Sequence, residues 1–180
     1  VADFLYRISA PSFFQVNTAQ AEKMIELVLE GLELDEQSLV ADLYCGAGTF
    51  TLPLAKRCDF VYAVESAGSS VRDLRRNLDA AQITNVEVIG GDSARELPGL
   101  GELDALVVDP PRAGLAKGVT ESIAASKAKR IAYVSCDPAT WARDIARFKK
   151  VGYALVQATP IDLFPQSYHI ETVSILKRIS

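Results

Sequence analysis

The chain is poor in the residues that build metal sites and disulfide frameworks. Among 180 residues stand one histidine, His169, and three cysteines, Cys45, Cys58 and Cys136. An odd cysteine count with no C-x-x-C spacing argues against both a disulfide scaffold and a zinc centre, so no metal is expected and a reducing, cytoplasmic setting is. No apolar run approaches the roughly 20 residues that span a bilayer, and no basic segment followed by an apolar core opens the chain. Neither membrane insertion nor a visible export signal is expected. Positive charge is also short: 19 Lys and Arg against 23 Asp and Glu leave a net charge of -4 and a pI near 5.1. Such a chain has no global field that draws it onto a polyanion, so any grip on nucleic acid must come from a local patch or another domain.

What is present is a globular composition, 49% hydrophobic and 23% charged, which fits neither a disordered tail nor a collagen-like or coiled-coil chain. At this length one domain buries roughly 70% of its unfolded surface. Short apolar runs alternate with amphipathic stretches. Helical spacing is expected over Ala19 to Leu34, with Thr18 as N-cap, and over Phe50 to Lys56, Ala67 to Ala81 and Ala139 to Phe148. Strands are expected at Ser38 to Tyr44, Phe60 to Glu65, Val86 to Ile89, Ala105 to Asp109 and Arg130 to Ser135. The stretches around Ala94 and over Thr120 to Ala128 separate the later ones, and two further strand-like runs follow Tyr153 with no helix between them. Alternating strands and helices predict right-handed crossovers and a mostly parallel sheet covered on both faces, closed by an antiparallel pair. Ligands in such sheets sit beyond the carboxyl ends of the strands, so the residues closing each strand carry the chemical reading.

The first strand runs into Asp42-Leu43-Tyr44-Cys45-Gly46-Ala47-Gly48-Thr49-Phe50, a glycine-rich turn that opens a helix and lets a ligand approach the main chain. About twenty residues on, the second strand ends in Glu65, where an acid commonly takes a ribose diol. The third glycine of a dinucleotide fingerprint is missing at Thr51, which favours a nucleoside cofactor without pyrophosphate. Asp92, after the third strand, is placed to cap the next helix or to accept from the exocyclic amine of a base. The fourth strand closes with Asp109-Pro110-Pro111-Arg112, a stiff extended loop that fixes Asp109 over the crevice. The fifth closes with Ser135-Cys136-Asp137-Pro138, and a cysteine before a helix start is expected to feel the dipole and favour thiolate. Cys136 is thus the candidate nucleophile, while Cys45 and Cys58 read as packing residues. In the tail Glu171 is the candidate acid-base group, with His169 as its neighbour.

In these motifs the chain resembles the S-adenosylmethionine-dependent RNA uracil-5-methyltransferases, which make 5-methyluridine in tRNA and rRNA. The resemblance runs from Phe13-Phe14-Gln15-Val16-Asn17 through the glycine turn, Asp109-Pro110-Pro111-Arg112 and Ser135-Cys136-Asp137-Pro138 to His169-Ile170-Glu171-Thr172-Val173. It implies a Rossmann-like class I fold, a seven-stranded α/β sheet with helices on both faces. It also implies S-adenosylmethionine as cofactor, held by Gln15, Tyr44, Gly46, Gly48, Thr49, Glu65 and Asp92, with Asp109 between cofactor and uracil. Family members often carry Asn where this chain has Thr49. The implied chemistry is addition of Cys136 to C6 of uracil, methyl transfer to C5 and removal of the C5 proton by Glu171. Phe13 or Phe14 would serve either as stacking surfaces or as core residues.

By the same resemblance, segments including a small β-barrel RNA-binding module precede such a domain. Residues 1–180 are therefore expected to be a catalytic domain from a longer protein. Weak RNA binding is expected of it alone, through Arg72, Arg75, Arg76, Lys127, Lys129, Arg130, Arg143, Arg147, Lys149 and Lys150. The competing readings are an amino-group nucleic-acid methyltransferase, which needs no thiolate, a nicotinamide oxidoreductase, and a noncatalytic RNA-associated domain of the same fold.

Overall fold

The computed structural model describes residues 18–163 and 170–179. The expectations placed on Phe13, Phe14, Gln15 and His169 therefore lie outside the described residues. Seven strands form one sheet: β1 (Leu39–Leu43), β2 (Phe60–Glu65), β3 (Val86–Gly90), β4 (Ala105–Val108), β5 (Arg130–Ser135), β6 (Tyr153–Ile161) and β7 (Glu171–Arg178). Their order is β3-β2-β1-β4-β5-β7-β6. The first five pair in parallel, and β7 runs antiparallel to both β5 and β6. Strand order reverses between β1 and β4, the switch point at which such sheets open a crevice.

The sheet is covered because its strands are apolar on both sides. Val40 on β1, Val107 on β4, Val134 on β5 and Val173 and Ile175 on β7 face α1 (Thr18–Leu32), whose Met24, Ile25 and Val28 stand one helical turn apart or less. Removing each such side chain from water is worth about 1.5 to 3 kcal/mol. Also on this face are α2 (Thr51–Ala55) and α3 (Gly68–Ala80), the latter packing Leu74 and Leu78 against Ala63. The opposite rows, including Leu43, Leu106, Val108, Ile131 and Tyr133, meet the stretch from α4 (Ser93–Glu96) into a 3-10 turn, then α5 (Val119–Ala125) and α6 (Pro138–Lys150).

Several element ends differ from the expected ones for a common reason. The first helix stops at Leu32 rather than Leu34 because Glu33 takes a left-handed φ of 50°. Gln82 and Lys127, at φ 58° and 63°, lie just beyond α3 and α5, in the conformation that commonly closes helices. Thr18 is the first helical residue rather than the residue before it. Pro138 opens α6 as its missing N–H allows.

Candidate active site

Five carboxyl or thiol groups share one face of the sheet by period-two alternation. Asp42 follows Val40 by two positions, Glu65 follows Ala63, Asp109 follows Val107, Cys136 follows Val134, and on β7 Glu171 stands two before Val173. Each prolongs an apolar row to the end where the crevice opens. The register of β5 and β7 sets Ser135 opposite Thr172, and carried one step further it sets Cys136 opposite Glu171. Directly opposed residues in an antiparallel pair have Cα atoms roughly 4.5 to 5.5 Å apart. Tyr44, Gly46, Thr49, Glu65, Asp109, Arg112, Cys136 and Glu171 border a single cleft of about 650 Å³. A larger hollow of about 760 Å³ lies at the other end of the strands among Glu33, Asp104, Lys129 and Arg178, away from the ligand-binding ends of a parallel sheet.

The glycine turn is held from both sides. Glu65 accepts from Gly46 N–H at 2.9 Å through Oε1 and from Ala67 N–H at 2.7 Å through Oε2. It serves as a strut for the turn and still has lone pairs for two further donors. Tyr44, at φ 57°, donates its N–H to Ser93 Oγ at 3.0 Å. The two glycines do different work. Among the described residues a Cβ on Gly46 would meet nothing within 4 Å, so its α-carbon lies open to them, whereas on Gly48 it would stand 2.6 Å from Leu74 and 2.8 Å from Leu52. Gly48, at φ 102°, lets the turn seat on α3 and is not among the residues bordering the cleft. Asp92 is not among them either: it accepts from Ala94 N–H at 3.3 Å and caps α4.

Electrostatics in the cleft is dominated by crowded acids. Burial, then the charges of Glu171, Asp42 and Glu65, hold Asp109 well above the usual carboxylate range. Burial raises Glu171, whose Oε2 has no hydrogen-bond partner among the described residues. Asp42, missed as a site residue, is fully buried and pushed up to about 7 by burial, against a bond from Thr51. Thr51 Oγ1 donates to its Oδ2 at 2.6 Å, and Oδ1 has no partner among the described residues. The signal was available: an acid inside Leu39-Val40-Ala41-Asp42-Leu43 sits where alternation demands burial.

The thiol expectation needs correction. Cys136 is raised by burial and by Glu171 and Asp109, with Arg112 opposing. The positive end of α6 is already met by Asp137, which accepts from Ala139 and Thr140 N–H at 2.9 and 3.1 Å. Little of that dipole remains for the sulfur. All three cysteines are free. Cys58 is buried as expected and raised to about 11 by burial, while buried Cys45 also borders the cleft.

The loop after β4 is pinned to α6. Buried Asp144 accepts from Leu115 N–H at 2.9 Å and from the Tyr133 hydroxyl. Arg143 donates to the Ala113 carbonyl at 2.8 Å, and Arg147 to that of Leu115 at 3.2 Å. Both arginines, expected to serve RNA, thus also tie residues 113–115, just after Pro110-Pro111-Arg112, to α6.

Comparison with known proteins follows this geometry. The model of the tRNA (uracil-5-)-methyltransferase family matches residues 1–99 and 101–179. The chain belongs to this family. An uncharacterized RNA methyltransferase of Clostridium acetobutylicum is 39% identical over 99% of the chain and 40% of its own length. One from Lactococcus lactis is 42% identical over 96% and 38%. This family member therefore spans about two fifths of the length of those relatives. The crystal structure of Pyrococcus abyssi tRNA (uracil-54, C5)-methyltransferase, in complex with S-adenosyl-L-homocysteine, superposes with a TM-score of 0.83. It is 35% identical, over 97% of this chain and 42% of that one. The Rossmann-like methyltransferase fold extends to a precorrin-6y C5,15-methyltransferase of Geobacter metallireducens, at a TM-score of 0.77 and 12% identity over 96% and 94% of the two chains.

Proposed function

We propose that this chain is the catalytic domain of an S-adenosylmethionine-dependent RNA uracil-5-methyltransferase acting on a uridine of tRNA or rRNA. The observation that carries the reading is that Cys136 and Glu171, the residues next to the paired Ser135 and Thr172 of β5 and β7, border the same cleft as Gly46 and Glu65. The cleft fits the cofactor. Gly46 leaves its α-carbon open, Glu65 retains acceptor capacity for a ribose diol, and Tyr44 and Thr49 border the same space. When bound, S-adenosylmethionine supplies an electrophilic methyl group on a cationic sulfur.

The chain's own residues account for the rest. Carbon 5 of uracil is a poor nucleophile; as the partly exposed Cys136 thiol gives its proton to solvent, its sulfur adds to C6 and the C5=C6 electron pair moves into an enolate with electron density at C5. Asp109, which borders the cleft just beyond the end of β4, holds the uracil edge. Glu171, raised toward the operating pH of a general base, takes the C5 proton, and the electron pair of that bond re-forms the double bond as sulfur leaves. A base inside a stem cannot reach the cleft, so the target is a loop or flipped nucleotide.

The test is transfer of isotope-labelled methyl from S-adenosylmethionine to RNA by the full-length protein, with digestion to nucleosides and mass spectrometry. The expected product is 5-methyluridine, lost in Cys136→Ala. An N-methylated adenosine or guanosine whose formation survives Cys136→Ala would establish the amino-methyltransferase reading instead.

A further inference from the structure

At the start of β7 successive side chains go to opposite sides of the sheet. Glu171 borders the catalytic cleft, while Ile170 and Thr172 border a second cavity of about 350 Å³. Its walls are apolar: Ala158 and Pro160 from β6, Pro138 and Trp141 from α6, and Ile170 at 48% exposure. Trp141 is the only tryptophan of the chain. Its indole N–H donates to Ser174 Oγ at 2.7 Å, which fixes the ring and satisfies its polar atom. The volume lies within the range of sites that take small planar ligands.

We propose that this cavity receives the base of the nucleotide adjacent to the methylated uridine, stacked on Trp141 and covered by Ile170. The proposal rests on the uridine reading above. Two observations carry it. Cys136 borders both cavities, so a uridine tethered to its sulfur leaves its neighbour one phosphate away from the second cavity. Exposed Arg112 lies where the two meet, its Nε 3.8 Å from Asp137, which borders the second cavity, and its charge suits the linking phosphate. Stacking tolerates any base, because every base has a π-face. The cavity therefore anchors the strand beside the target rather than reading its sequence.

The test uses the full-length protein. Transcripts of tRNA and rRNA carrying 5-fluorouridine first locate the reactive uridine through its covalent adduct. Hairpins spanning that position are then made intact, with an abasic 5′ neighbour, and with an abasic 3′ neighbour. One abasic hairpin should lose about tenfold in adduct-forming efficiency at low RNA concentration. Ala158→Phe, which fills the cavity from an exposed strand position, and Ile170→Ser should each lose a similar factor on the intact hairpin and nothing more on that abasic one. The KM for S-adenosylmethionine should stay unchanged. Equal reaction of all three hairpins, or losses that multiply when variant and abasic hairpin are combined, overturns the cavity proposal alone. Absence of any adduct with the wild-type protein overturns the uridine reading, and the cavity proposal falls with it.

Discussion

At the residue scale the site is a thiol surrounded by acids that resist ionising, and each has its own consequence. Cys136→Ala should lower methyl transfer by about three orders of magnitude or more, because nucleophile and base act as a unit. Glu171→Gln should still form the adduct but fail to resolve it, so protein-linked RNA should accumulate on a denaturing gel. Asp42 offers a test on stability. It keeps its proton in the folded protein up to about pH 7, against an ordinary value near 3.9 in the unfolded chain. The folded state therefore binds the extra proton, and the stability this contributes is full below about pH 4 and lost as pH rises through about 7. In urea unfolding, wild type should lose on the order of 2 to 4 kcal/mol relative to Asp42→Asn between pH 4 and pH 8. A pH-independent gap would show that Asp42 is ionised in its buried position.

At the element scale, the glycine turn and the loop after β4 build the cleft from opposite sides. Gly48→Ala combines a left-handed residue with overlap on Leu74 and Leu52, and should cost about 2 to 4 kcal/mol of unfolding free energy. Gly46→Ala meets no atom of the described residues within 4 Å and should cost only about 1 to 2 kcal/mol, with its larger effect on S-adenosylmethionine affinity measured by calorimetry. Two G-x-G glycines that look alike in sequence are thus separable, one shaped by packing and one by the ligand. Asp144→Ala leaves Arg143, Arg147 and the Tyr133 hydroxyl without their shared acceptor. It should cost about 2 to 4 kcal/mol and expose residues 110–118 to limited proteolysis. These three cases also mark the limit of sequence reading. Strand ends, and the acids and thiol on them, were legible because period-two alternation and helix punctuation are local. The role of Gly48 and the burial of Asp144 depend on neighbours about 25 to 30 residues away, such as Leu74 and Leu115, whereas the capping of α6 by Asp137 is local, to Ala139 and Thr140, and was within reach of the sequence.

At the scale of the whole molecule, the acidic balance and the pairing of bases limit what this surface can hold. Of the expected basic footprint, Arg76 pairs with Asp73, Lys127 with Glu102, Arg130 with Glu33, and Arg143 and Arg147 with Asp144. Few counterions are then released on binding, so residues 1–180 alone should bind RNA weakly, with a slope of log K against log salt of about -3 or shallower. A markedly steeper slope would mean that these bases reach phosphate despite their ion pairs. The mostly parallel pairing, the antiparallel closing strands and the position of the crevice follow from alternation and connectivity, whereas the RNA partner depends on surfaces that composition alone does not reveal. The most direct measurement is peptide mapping by mass spectrometry of the covalent complex between the full-length protein and RNA carrying 5-fluorouridine. The account predicts the modified nucleotide on the peptide containing Cys136, through C6 of the ring. An adduct on Cys45 or Cys58, or catalytic turnover with no sulfur adduct at all, would contradict it.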